Sequence, residues 1–175
     1  MKKLFMVAAM AVAALTANAQ VWIGGNLGVS TTSIEDTDKS VTKFSVQPEV
    51  GYSLSDKWDV ALALGYKYSN EDVKTNTFYI QPYARYTFYR KGQFYAFCDG
   101  YLQYSTTDKS GSRDNLNTFG VGLTPGLGYD LTKHVTLVAH VGDLSYAHAW
   151  QGDINANSFN FGVTNNISFG AYVKF

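Results

Sequence analysis

Phe44-Ser45-Val46-Gln47-Pro48-Glu49-Val50-Gly51-Tyr52-Ser53-Leu54 decides the fold class. Successive side chains of an extended chain point to opposite faces, so Phe44, Val46, Pro48, Val50, Tyr52 and Leu54 share one side. Ser45, Gln47, Glu49, Gly51 and Ser53 share the other. After Ser55-Asp56-Lys57 the alternation resumes, with Trp58, Val60, Leu62, Leu64, Tyr66 and Tyr68 opposed to Asp59, Ala61, Ala63, Gly65 and Lys67. Outward from this hairpin, period 2 covers nearly the whole chain beyond Gln20, and no helical 3.6 period of useful length competes with it. Eight apolar rows result: Val21 to Val29, Phe44 to Leu54, Trp58 to Tyr68, Phe78 to Phe88, Phe94 to Tyr104, Phe119 to Tyr129, Val135 to Val141, and Ile167 to Phe175. At the chain's 16% charge content, about seven of these rows' positions would be charged by indifferent placement, and none is. Something excludes charge from one face of every strand.

Segments of about 10 to 12 residues fit tilted transmembrane strands. The connections alternate in length. Leu54 to Lys57, Arg90 to Gln93 and Leu131 to His134 are short turns, whereas Thr31 to Thr42, Ser69 to Asn76, Thr106 to Asn117 and Ala147 to Ser158 read as longer polar loops. Short turns on one side and long loops on the other are the pattern of an eight-stranded antiparallel up-and-down transmembrane β-barrel. Proline lacks a ladder donor and a closed barrel has no edge for it. Yet Pro48, Pro82 and Pro125 each stand four residues before Tyr52, Tyr86 and Tyr129, just ahead of a short turn. They mark an internal hairpin repeat. A β-bulge is expected beside each of them.

Alternation alone does not say which face is inside, because a soluble lipocalin-like barrel binding an apolar ligand shows the same period. The polar rows decide. A water-facing exterior would be rich in Lys and Glu, but these rows hold Gly, Ser, Ala, Thr, Gln and Tyr with sparse charges, namely Glu49, Asp59, Lys67, Arg85 and Asp99. That composition suits a narrow eight-stranded interior in which side chains fill the space and charges pair. The apolar rows end in aromatics, with Tyr52, Trp58, Tyr66, Tyr68, Tyr86, Phe88, Tyr104 and Tyr129 placed as an interfacial girdle. The sequence thus predicts a plugged lumen in which Arg85 and Lys67 pair with Glu49, Asp59 or Asp99, with a narrow ion path as the alternative.

The ends carry the address. Lys2 and Lys3 precede the apolar stretch Leu4 to Leu15, and Ala17-Asn18-Ala19 offers small residues where a signal peptidase reads them. Residues 1–19 are expected to be a cleaved signal peptide and residues 20–175 the barrel domain. At the other end, Gly170, Val173 and the terminal Phe175 form the pattern of a C-terminal insertion signal. Together with the eight rows, this resembles the small OmpA/OmpX-type barrels, the porin-family outer-membrane β-barrel domain proteins, over Gln20 to Phe175. The resemblance implies a Gram-negative outer-membrane location and contact with lipid and lipopolysaccharide. It also implies insertion by the barrel-assembly machinery. No cofactor is expected, and the chain is expected to depart from OmpA in having no C-terminal peptidoglycan-binding domain. A monomer is expected.

The chain's 175 residues are about one domain, and 14 basic against 14 acidic residues leave no basic footprint for nucleic acid. A mean hydropathy of −0.13 suits a barrel, which shows lipid only every second residue. The single Cys98 lies on the apolar row and excludes an internal disulfide. A lipid-modifying hydrolase would need a Ser/His/carboxylate set, for which His140, Asp143, Ser145 and His148 are the candidates. His134 falls in a turn. The loop acids Glu35, Asp36, Asp38, Glu71 and Asp72 read as solvated charge rather than a metal site. The favoured reading is a non-enzymatic barrel whose loops meet ligands or partners.

Overall fold

The computed structural model describes residues 20–34, 39–70, 74–111, 115–152 and 154–175; the side chains of 29–34, 39–43, 154 and 163–167 are not described. The expected signal peptide and the loop acids Glu35, Asp36, Asp38, Glu71 and Asp72 lie outside the described residues. Eight strands, β1 (Val21–Ile34), β2 (Lys39–Ser53), β3 (Trp58–Ser69), β4 (Thr75–Lys91), β5 (Phe94–Lys109), β6 (Leu116–Asp130), β7 (Val135–Gln151) and β8 (Ile154–Lys174), close in chain order into an antiparallel barrel. Turns at 54–57, 92–93 and 131–134 share one end with both ends of the domain.

The charge-free rows face outward. Val60, Leu62, Leu64, Ile80, Leu102, Val121, Leu123 and Leu137 are all exposed, while Trp22, Ala63, Tyr83, Tyr95, Phe97, Val138 and Tyr172 form the buried core inside the barrel. This is the inverse of a soluble lipocalin-like barrel, whose outer face is polar. Cys98 lies on the outward row and is partly covered.

Two loops expected from polarity are strand instead. β1 runs on to Ile34 and β2 starts at Lys39, and β7 runs to Gln151 with β8 starting at Ile154, so the loops expected at 31–42 and 147–158 are mostly hairpin. Beyond the apolar band a strand is wetted on both faces, so the alternation that reveals it fades. Backbone pairing and β-branched residues such as Thr31, Thr32 and Thr42 carry it further.

The prolines differ from expectation too. On one side the ladder stays registered, with Gly25 opposite Pro48, Leu62 opposite Pro82 and Cys98 opposite Pro125. On the other side it skips two positions, between Val46 and Glu49, between Ile80 and Tyr83, and between Leu123 and Gly126. Only the last gap carries a register shift. Pro48 and Pro82 have no bulge, because a missing donor costs one ladder bond and that loss is absorbed without an inserted residue. The other bulges lie at Thr87/Tyr89 and Val141/Asp143.

Candidate functional site: a charged knot under a polar basin

Large lumen side chains sit opposite glycines on the neighbouring strand. Trp22 faces Gly51, Tyr172 faces Gly24, Tyr95 faces Gly128 and Phe97 faces Gly126. A Cβ at Gly51 or Gly128 would overlap the Trp22 or Tyr95 ring, so the glycines are the floor on which the rings lie. Three strands thereby send aromatic rings across the lower lumen, and Trp22, Phe97 and Tyr172 among them, with Tyr83 from β4, enclose Arg85. Its guanidinium carbon is 3.8 Å from the Phe97 ring centre, 5.2 Å from Tyr172, 5.7 Å from Tyr83 and 5.9 Å from Trp22.

Arg85 meets Asp99 as a fork, Nε to Oδ1 and Nη2 to Oδ2, both at 2.7 Å. Arg85 is 2% exposed and Asp99 4%, so this is a fully desolvated pair, held by geometry that a planar guanidinium matches and a lysine would not. Arg85 Nη2 also donates to Tyr172 Oη at 3.1 Å, and His140 Nε2 lies 3.0 Å from Asp99 Oδ2. Glu49, 4% exposed, is held separately: Asn26, Tyr83, Gln47 and Tyr172 all donate to its carboxylate. Neutral donors stabilise it where a cation was expected. Asp59 is registered with Arg85 across the ladder yet stands outside the fork, and Lys67 lies 4.9 Å from the centre of the Tyr79 ring, with no carboxylate within ion-pair distance among the described residues.

A second cluster closes the turn end. Asp130 accepts from Arg90 at 2.7 Å, Lys174 at 3.1 Å and Thr136 at 2.5 Å, over the Tyr95 ring. Its members come from strand ends, where a charge reads as ordinary turn polarity.

Above the knot the lumen is not filled. A cavity of about 840 Å³ is lined by short or polar side chains, among them Gln47, Lys67, Gln81, Tyr101, Gln103 and Asp143. The expectation of a lumen filled throughout fails here because Ser45, Thr77 and Gln103 occupy positions that rings occupy lower down. Asp143 joins this basin because Gly142, at φ 77°, bulges β7 and swaps its faces. Tyr101, Thr124 and Ser145 donate to Asp143 at 2.7, 3.2 and 2.5 Å. The hydrolase candidates therefore divide: Ser145 is bonded to Asp143, His140 belongs to the knot, and His148 lies 2.7 Å from Asn157 in the β7–β8 hairpin.

The outer face completes the picture. Tyr52, Trp58, Tyr86, Phe88 and Tyr129 ring the turn end, with Tyr52 bonded to Gln20 and Tyr129 to Gln93. Tyr66, Tyr68 and Tyr104 stand towards the loop end, where Tyr66 donates to Asn76 at 2.7 Å and Tyr104 to Asn117 at 3.2 Å. Val173 and Phe175 point outward, and Gly170 sits under Asn26.

The outer membrane protein beta-barrel domain model matches residues 4–166. The chain belongs to that family. Among solved structures, Neisserial surface protein A superposes with a TM-score of 0.56 at 20% identity, over 90% of this chain and 98% of that one. The N-terminal barrel of Pseudomonas aeruginosa OprF gives 0.50 at 18% identity, over 90% and 98%. These likenesses are of fold. No curated protein matches the chain.

Proposed function

We propose that this family member is a non-enzymatic barrel of the Gram-negative outer membrane, closed to ions, whose outward hairpins serve as an interaction surface. The observation that carries the reading is the Arg85–Asp99 fork inside its aromatic cage. A hydrated ion would have to displace four rings and separate a desolvated bidentate pair, a step that costs several kcal/mol before any ion has moved. An eight-stranded barrel has no spare width to route around it. The division of Ser145 and His140 between two separate clusters supports the non-enzymatic half of the reading. The charge-free outer rows and two aromatic belts support a bilayer and lipopolysaccharide as the surroundings. The outward Val173 and Phe175 support recognition by the barrel-assembly machinery, with residues 1–19 as the exported chain's cleaved leader. The protein works as a monomer, and its long β1–β2 and β7–β8 hairpins are the surfaces offered outside the cell.

Planar-bilayer recording tests the central claim. The refolded protein should give no steady single-channel steps, and discrete steps of reproducible size would overturn the closed-lumen reading. An unchanged lipid A pattern in cells carrying Ser145→Ala with His140→Ala is the matching outcome for the absence of hydrolysis. Loss of a lipid A species would refute it.

A further inference from the structure

The alternation of β4 changes phase at its turn end. Tyr86 pairs with the outward Cys98 and Thr87 with the lumen-facing Phe97, but the next pair is Tyr89 with Ala96, so Phe88 is an extra residue. A bulge of this kind re-aims the side chains that follow it. Without it Arg90 would continue the outward row of Phe78 to Phe88. With it Arg90 pairs with Tyr95, lies 4.4 Å from the centre of that ring and bonds Asp130, while Tyr89 and Lys91 pair with the outward Ala96 and Phe94. Lys91 thus stands on the outer face, beside rows that otherwise carry no charge.

What surrounds Lys91 suits one class of partner. Phe88, Tyr89 and Phe94 are 58%, 49% and 40% exposed, so the ammonium rises from a patch of outward rings at the turn end of the barrel. The exposed Lys57 is tied to this corner, because its carbonyl accepts the Thr87 N–H at 2.8 Å, next to the bulge. Although Asp56 adjoins Lys57 in the turn, neither Lys57 nor Lys91 has a carboxylate within ion-pair distance among the described residues. The Tyr89 hydroxyl has no hydrogen-bond partner among the described residues, whereas those of Tyr52 and Tyr129 in the same belt are bonded to Gln20 and Gln93. Two free cations and a free hydroxyl above apolar rings match an anion that carries its own hydrocarbon.

We propose that Tyr89 and Lys91, with Lys57 beside them, form a headgroup site for an anionic phospholipid of the leaflet at the turn end. The Lys91 ammonium takes the phosphate, the Tyr89 hydroxyl donates to a phosphate oxygen, and the acyl chains lie against Phe88, Phe94 and Tyr86. A zwitterionic headgroup is disfavoured, because its own ammonium neutralises the phosphate and brings a third cation to a corner that holds two. Only Gly92 and Gln93 follow Lys91 before β5 begins, so the cation stays at the level of the rings instead of reaching into water. The proposal rests on the membrane placement given above, and the two fail differently. A barrel that does not belong in a bilayer retains no phospholipid of either headgroup, whereas a failure of this site leaves retention without preference.

Native mass spectrometry of the refolded protein, released from detergent holding equal amounts of phosphatidylglycerol and phosphatidylethanolamine with the same acyl chains, reads the preference. The parent should retain phosphatidylglycerol over phosphatidylethanolamine by about fivefold, the worth of one lysine at an anionic surface. Lys91→Gln should bring that ratio below about twofold, Lys91→Arg should preserve it, and Tyr89→Phe should lower it in part. Lys133→Gln removes the same charge from the β6–β7 turn and should leave the ratio unchanged. Altered migration on a detergent gel without boiling confirms that each variant is folded before it is compared. Equal retention of the two lipids by the parent, a preference that survives Lys91→Gln, or equal losses from Lys91→Gln and Lys133→Gln would each overturn the site, the last by showing diffuse attraction to the whole turn end.

Discussion

Removing one partner of the Arg85–Asp99 fork should cost far more than removing both. Arg85→Met leaves Asp99 buried with His140 as its remaining partner, and Asp99→Leu leaves the guanidinium with Tyr172 and four ring faces. The fork consists of two charge-assisted bonds of 2.7 Å between groups that are 2% and 4% exposed. Stranding either charge in this setting is worth about 3–5 kcal/mol of stability. The double variant Arg85→Met/Asp99→Leu strands no charge in the fork and exchanges it for two flexible apolar chains of fitting size. It should therefore lose less than either single variant, about 1–2 kcal/mol, with a coupling of at least about 2 kcal/mol. Urea unfolding of protein refolded into vesicles reads this directly, because Trp22 packs 4.4 Å from Tyr172 and its fluorescence reports on the knot. Singles that each cost less than about 1 kcal/mol, or a double equal to their sum, would refute the fork as the element that holds the lower lumen.

The remaining predictions concern packing, faces and assembly. Gly128→Val puts a branched side chain under the Tyr95 ring and should cost about 1–3 kcal/mol, most of it recovered by adding Tyr95→Ala; an innocuous single variant would refute the ring-on-glycine floor. Leu123→Arg places charge on the outward row and should destabilise by about 2–4 kcal/mol, whereas Gln103→Arg in the basin should cost under about 1 kcal/mol by the same unfolding assay; equal costs would invert the assignment of faces. Deleting Phe175 should leave unfolding in vesicles within about 1 kcal/mol of the parent yet cut the amount of barrel recovered from the outer membrane several-fold. Undiminished recovery would remove Phe175 from the insertion signal.

The barrel was legible because one face of every strand is denied charge, a constraint that repeats every second residue through Phe44–Leu54 and its seven counterparts. The site was less legible for two physical reasons. The first is backbone. Gly142 at positive φ shifts β7 by one place, so that Val138 and His140 face the lumen below it and Asp143 and Ser145 above it. No side-chain pattern before Gly142 announces that exchange, and Asp143, with its three close donors, was missed as a basin residue. The second is partner choice. Lys67, Asp59 and Arg85 all belong to lumen rows, but row membership does not give height or reach. Arg85 chose Asp99 because both are enclosed by the same rings, and Glu49 was satisfied by hydroxyl and amide donors that carry no charge to count.

The contrast between the two halves of the lumen follows from side-chain size laid over one constant register. Towards the turns, an aromatic on one strand meets a glycine on the next at Trp22/Gly51, Gly24/Tyr172, Tyr95/Gly128 and Phe97/Gly126, so the rings lie flat across the barrel and close it. Towards the loops Tyr79 and Tyr101 still lie over Gly65 and Gly122, but Ser45, Thr77 and Gln103 stand beside them in place of further rings. Eight strands fix a width that four rings and one guanidinium fill and that short polar side chains leave as about 840 Å³. Closure against ions and an open basin above are then not competing properties of this fold. They are set independently, by what occupies the inward positions below and above Arg85.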